Sequence, residues 1–126
     1  MTTAARTLTL ARLRESLRFA CEALLFADER LPAAASYLWR DPLTGHAQPF
    51  AQALADVRSR AEKDPGLRHA LKALEAIEEA LVREDGWTLT AQKGGVMWRA
   101  PDADGTPRTR TEAAALICQR LDAVEG

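Results

Sequence analysis

Apolar side chains recur at three- and four-residue steps near the start of the chain, where Leu10, Leu13, Leu17, Cys21 and Leu24 form one stripe. That spacing returns side chains to one face of an α-helix and predicts a first helix from Thr7 to Arg30. Phe19 and Phe26 stand a heptad apart on nearly the opposite side. A helix with two apolar faces is expected either to be sandwiched between elements or to be shared with a partner. Pro32 ends this helix and can open a short second one over Ala33 to Arg40, carrying Tyr37, Leu38 and Trp39. Asp41-Pro42-Leu43-Thr44-Gly45 then breaks the pattern, because a residue before proline avoids helical geometry.

A third helix from Pro49 to Lys63 gathers Phe50, Leu54, Val57 and Ala61 on one face. Asp64 and Pro65 read as the N-cap and first residue of a fourth helix, Pro65 to Glu84, with the regular stripe Leu67, Leu71, Leu74, Ile77 and Leu81. Glu75, Glu79 and Arg83 on its other side read as a solvated face, and Gly86 as its closing glycine.

Beyond Gly86 the period changes from helical to alternating. Trp87, Leu89 and Ala91 share one side of a strand, and Val96, Trp98 and Ala100 share one side of a second. The turn Gln92-Lys93-Gly94-Gly95 joins them through a two-residue loop at Lys93-Gly94 or Gly94-Gly95. Both alternatives put all six apolar residues on one face, leaving Thr88, Thr90, Met97 and Arg99 on the other. After the turn cluster Pro101 to Gly105, a short third strand around Thr106 to Arg108 is compatible with the pattern. Thr109 with Glu112 forms a capping box for a last helix whose stripe is Ala114, Ile117, Cys118 and Leu121, extended by Val124. The expected fold is one α+β domain: a helical body of about four helices over 7–85, then an antiparallel hairpin or three-stranded sheet and a closing helix over 86–124. No internal repeat is expected from the sequence pattern.

With 126 residues, 47% hydrophobic and 28% charged, the chain has the size and composition of one ordinary folded domain. Its 17 basic and 18 acidic side chains leave a formal charge of −1, which gives no whole-chain attraction to nucleic acid or an anionic membrane. No stretch approaches the roughly 20 consecutive apolar residues of a membrane-spanning helix, and Met1 to Arg14 lacks the apolar core of a secretory signal. Cys21 and Cys118 both fall on apolar helical positions. One disulfide could join them, but two free thiols in a reducing compartment fit better, which makes cytoplasm the expected location. The preference for arginine over lysine and the abundance of alanine fit a GC-rich bacterial coding bias.

Catalytic chemistry has little to stand on. His46 follows Gly45 in a loop and His69 points away from the leucine stripe, and neither has a second ligand at metal spacing. Cys118 on an apolar stripe is expected to have a raised pKa, the reverse of an activated thiol. The acid pairs Glu78-Glu79 and Glu84-Asp85 read as helix solvation. Gly94-Gly95 lies between two strands and lacks the strand-to-helix setting of a phosphate loop. The chain is therefore expected not to be an enzyme, and no cofactor, metal or small-molecule substrate is indicated.

Two binding surfaces remain. Phe19, Phe26, Tyr37 and Trp39 are candidate anchors of a protein interface, either with another protein or in a homodimer, since aromatic residues dominate such contacts. The second lies in the C-terminal region. Gly86-Trp87, Trp98-Arg99-Ala100-Pro101, Asp104-Gly105 and Arg108-Thr109-Arg110 give an outline of sheet plus helix that resembles the methyl-CpG-binding and AP2-type modules over about a third of the chain. That resemblance implies a sheet face laid on DNA, and by side-chain chemistry the candidate contacts are Lys93, Arg99, Arg108 and Arg110. The expected function is a small non-enzymatic intracellular binding or regulatory protein acting through protein contacts, of which an inhibitor or accessory protein of a bacterial mobile element is an example. The alternative is a nucleic-acid-binding accessory protein using the C-terminal unit.

Overall fold

The computed structural model describes residues 3–33, 38–101 and 106–125. Its order is α1 (Thr3–Ala27), β1 (Leu31–Pro32), β2 (Leu38–Arg40), β3 (Ala47–Pro49), α2 (Phe50–Ala61), α3 (Pro65–Glu84), β4 (Thr88–Gln92), β5 (Gly95–Arg99) and α4 (Arg110–Glu125). β1, β2 and β3 form one antiparallel sheet in that order, and β4 pairs with β5 in another. Mixed helix and antiparallel sheet, as expected, describe the chain.

The helix expected over Ala33 to Arg40 is contradicted at its described end, residues 38–40. Leu38–Arg40 is the central strand of the first sheet, with Trp39 opposite Pro32 on one side and Gln48 on the other. A two-turn helix ending at Asp41-Pro42 has little stability of its own, and pairing Trp39 on both flanks satisfies its backbone instead. Among the described residues the N-terminal body thus has three helices and a small sheet, where about four helices were expected. Tyr37 and the turn residues Asp102 to Gly105 lie outside the described residues.

The long helices end in the same way. α1 stops at Ala27, earlier than its apolar pattern suggests. Glu29 adopts φ 63° and its N–H donates to the carbonyl of Phe26, while the N–H of Arg30 donates to that of Leu25. α3 repeats this arrangement: Gly86 has φ 90°, its N–H donates to Arg83, and the N–H of Trp87 donates to Val82. Both are Schellman terminations, which favour a left-handed residue just past the helix. In both, the residue before the left-handed one is a buried aspartate, Asp28 or Asp85. Each carboxylate accepts a bond from the side chain two residues on: Arg30 Nε at 2.9 Å for Asp28, Trp87 Nε1 at 2.9 Å for Asp85. Each also accepts a guanidinium from the helix after the sheet, Arg60 of α2 for Asp28 and Arg120 of α4 for Asp85.

These equivalences reveal an internal repeat that the sequence reading missed. Leu10, Leu17, Leu24 and Leu25, buried on α1, correspond to Leu67, Leu74, Leu81 and Val82, buried on α3. Leu38-Trp39-Arg40 with Pro42 and Gly45 corresponds to Met97-Trp98-Arg99 with Pro101 and Gly105. Trp39 pairs with Gln48 of its third strand, and Trp98 with Arg108 across an antiparallel bridge, so the third strand expected near Thr106 to Arg108 exists as that single bridge. Ala53, Val57 and Ala61 of α2 correspond to Ala113, Ile117 and Leu121 of α4, all buried. The plan in both halves is a long helix, an aspartate junction, a small sheet centred on a tryptophan, and a second helix.

The chain divides into two compact units, residues 1–17 with 76–126 and residues 18–75. The 18–75 unit holds the end of α1, the three-stranded sheet, α2 and the start of α3. The other unit holds the start of α1, the end of α3, the hairpin and α4. In the hairpin the register Leu89 to Trp98 and Ala91 to Val96 fixes the loop at Lys93-Gly94 and gives the expected shared face. Gly94 and Gly95 have φ 102° and 140°, a range that side chains resist. Trp87 and Trp98 are buried, whereas Leu89 and Val96 are exposed. The capping box stands: the Glu112 N–H donates to Thr109 Oγ1 at 3.1 Å.

Arg30 is wholly buried and reaches Asp28, Gln48 Oε1 at 2.7 Å and Asp41 at 3.4 Å. Replacing Asp28 with alanine removes its closest carboxylate and is expected to cost about 3–5 kcal/mol in urea unfolding; a loss below about 1 kcal/mol would contradict this role. Glu29 holds a left-handed angle that costs a non-glycine residue about 1 kcal/mol. Glu29→Gly is therefore expected to raise the urea midpoint with an unchanged m-value.

Candidate binding clefts

Each unit has a surface cleft lined by its central tryptophan. In the 18–75 unit the cleft is about 570 Å³ and is lined by Trp39 and Leu38 of β2, Pro32 and Ala33, Phe50 at the start of α2, and Arg18 and Glu22 of α1. The rings are packed together: Phe26 meets Trp39 edge-on at 5.2 Å, and Phe50 lies 6.4 Å from Trp39 at 55°. Such tilted arrangements are favoured by the ring quadrupoles. Arg18 and Glu22 form an i,i+4 ion pair at 3.5 Å on the rim. Phe19 and Phe26 flank Glu22 by one helical turn on either side and are 62% and 48% exposed.

The junction positions this cleft. The Asp28 carboxylate turns the chain from α1 into β1 and holds Arg60 of α2 at 2.9 Å. Gln48, opposite Trp39, accepts from Arg30 and donates to Asp56 of α2 at 3.0 Å. Beyond Trp39, Asp41 accepts the Leu43 N–H at 2.8 Å and Arg40 donates to the carbonyl of Gly45 at 2.7 Å, which closes the loop from β2 to β3.

The corresponding cleft of the other unit is about 500 Å³, with Trp98, Leu89 and Val96 on the hairpin side, Glu79 on α3, and Thr109, Arg110 and Thr111 at the start of α4. Here Arg83, which corresponds to Phe26, lies over the Trp98 ring at 5.1 Å, and pairs with Glu79 at 3.6 Å. Arg110, which corresponds to Phe50, donates its Nε to Glu78 at 3.3 Å. Glu78 is buried, as is Asp85, so the acid pairs read as solvation each contain one structural carboxylate. The positions of the two aromatic neighbours of Trp39 are thus held by arginines in the second repeat, Arg83 over Trp98 and Arg110 on the lining of its cleft.

Of the expected protein-interface residues, Phe19 and Phe26 are exposed on α1, while Trp39 is buried and lines the cleft. Of the expected nucleic-acid contacts, Lys93 is exposed in the hairpin turn and Arg99 is exposed on the face away from Trp98. Arg108 is half-buried and opposite Trp98, with which it exchanges backbone bonds of 2.7 and 2.8 Å. Arg110 is half-buried against Glu78. By register Arg99 and Arg108 point to opposite faces, so the four cations do not form one stripe.

The network Asp28, Arg30, Asp41 and Arg60, with Asp85 and Arg120 in the other repeat, was missed from the sequence. Its signal is the recurrence of Trp-Arg-x-Pro together with an aspartate two residues before a side-chain donor. Cys21 and Cys118 are free thiols, and burial, then Asp122, pushes the Cys118 thiol up. His46 and His69 are exposed. Among the described residues no group of three histidine, cysteine, aspartate or glutamate side chains could hold a metal ion, and no helix is long and apolar enough to cross a membrane.

No family model matches the chain, and comparison with curated proteins and with solved structures gives no match.

The Leu43 N–H holds the Asp41 carboxyl below its ordinary value; burial opposes this and Arg30 adds to it. A folded value below the unfolded one stabilises the fold above the ordinary aspartate range, and this stabilisation is lost as pH falls through the folded value. Asp41→Asn should therefore flatten the decline of Tm below about pH 4. Identical acid slopes for the two proteins would contradict the assignment.

Proposed function

We propose that this is a non-enzymatic cytoplasmic binding or regulatory protein, and that it holds a segment of a partner protein in the Trp39 cleft. The observation that carries this reading is an open apolar cleft walled by aromatic rings, next to large side chains left in solvent. Phe19, Phe26 and Leu31 are 62%, 48% and 61% exposed in the same unit. Clustered exposed apolar residues beside a concave site mark interaction surfaces, and aromatic anchors supply most of their affinity. A cleft of about 570 Å³ suits one or two large apolar side chains presented by a short peptide or helix, with the Arg18–Glu22 pair as its polar rim. Nucleic-acid binding has less support, because Arg110 is engaged with Glu78 and the remaining cations are split between faces.

The test is selection of a displayed random-peptide library on the full chain. Recovered peptides should share a large apolar residue and lose at least about tenfold in affinity on Phe50→Arg, a change the corresponding Arg110 suggests the fold accepts. Recovery of no peptide, or of peptides indifferent to Phe50→Arg, would overturn the reading. Concentration-dependent self-association abolished by Phe50→Arg would replace the partner protein with a second copy of the chain.

A further inference from the structure

We propose that the outer edge of β4 is a self-association surface, and that it pairs with the β4 edge of a second copy of the chain to make one continuous antiparallel sheet. The proposal makes no use of the Trp39 cleft and stands apart from the peptide-binding reading.

The ladder of the hairpin fixes which backbone groups face outward. The Trp98 N–H donates to the carbonyl of Arg108 at 2.7 Å, and the Trp98 carbonyl accepts the Arg108 N–H at 2.8 Å. Both backbone groups of Trp98 thus point away from β4, so Leu89, directly opposite, belongs to a non-hydrogen-bonded pair. Alternation along the strand gives Ala91 the same status and bonds Thr88 and Thr90 to β5. The N–H and carbonyl of Leu89 and of Ala91 therefore project from the outer edge of β4. Among the described residues β4 pairs with β5 alone, and Leu89 and Ala91 are both exposed.

The first repeat closes the equivalent edge. Pro32 stands opposite Trp39 as Leu89 stands opposite Trp98. The adjacent Ala33 N–H donates to Leu38 at 2.9 Å, so by the same alternation position 32 faces outward from β1. Proline has no N–H to offer there, and proline on an edge strand blocks further pairing. β1 spans two residues and β4 five. The β4 segment Thr88-Leu89-Thr90-Ala91-Gln92 carries neither charge nor proline, the devices that ordinarily protect an exposed edge.

The occupant that this edge matches is β4 itself. About a two-fold axis at Thr90, Leu89 of one copy lies opposite Ala91 of the other, and these are the residues with outward groups. Each outward N–H then meets an outward carbonyl, with both strands overlapping over their full length. Leu89, 48% exposed in the single chain, packs beside the small Ala91 of the second copy, on the face shared with Val96 and Trp98. Thr90 meets Thr90 on the other face, a favourable cross-strand pair. No like charges are brought together within the paired strands.

Sedimentation of the full chain over a range of concentrations, with amide hydrogen exchange resolved by nuclear magnetic resonance, tests this. The expected result is a dimer in which the Leu89 and Ala91 amides gain protection as concentration rises, whereas Thr90, already bonded to β5, changes little. Leu89→Pro copies the first repeat and removes one outward N–H from each copy, so it should weaken the dimer at least about tenfold. Phe50→Arg should leave the dimer intact. Should Leu89→Pro fail to fold, the exchange pattern of the unaltered chain decides the question. A chain that stays monomeric throughout, a dimer indifferent to Leu89→Pro, or protection confined to amides outside β4 would overturn the proposal. A dimer lost on Phe50→Arg with the β4 amides unprotected would place the second copy in the Trp39 cleft and overturn it too.

Discussion

A carboxylate buried at the end of a helix organises this molecule. Asp28 and Asp85 close α1 and α3, and each gathers a donor from two residues ahead and a guanidinium from the helix that follows the sheet. Burying a charge costs several kcal/mol unless its partners are in place. The helix end, the first strand and the second helix are therefore fixed in one geometry together. That geometry also sets the central strand and its tryptophan, and through the tryptophan the cleft.

The repeats keep this junction and vary what surrounds it. Arg30 beside Asp28 corresponds to Trp87 beside Asp85, so one carboxylate faces a buried cation and the other an indole N–H. The ionic network on the Asp28 side extends through Asp41, Gln48 and Asp56. Around the tryptophans the exchange runs the other way: Phe26 and Phe50 flank Trp39, whereas Arg83 lies over Trp98 and Arg110 lines its cleft. One scaffold thus carries an apolar cleft and one of mixed polarity, with their difference confined to residues that the junction does not use.

Much of the architecture was legible from local rules. The α3 boundaries follow from Asp64, which accepts the Gly66 N–H at 2.9 Å, and from the left-handed Gly86. The capping box and the parity of the hairpin faces likewise depend on neighbours close in sequence. The strand at Leu38–Arg40 was not legible, because its stability comes from pairing with β1 and β3 rather than from its own pattern. The repeat stayed hidden because its constant residues are few, and because equivalent positions such as Cys21 and Glu78, or Phe50 and Arg110, differ in polarity. Phe19 and Phe26 were recognisable as a second apolar face. That Trp39 lines a cleft beside them depends on tertiary structure.

The most direct measurement is a pair of double-mutant cycles in urea unfolding, one on Asp28 with Arg60 and one on Asp85 with Arg120. Two equivalent junctions predict favourable coupling in both cycles, of about 0.5–3 kcal/mol, with the exposed portion of each arginine keeping the values toward the low end. Coupling indistinguishable from zero in either cycle would contradict a common junction as the basis of both halves.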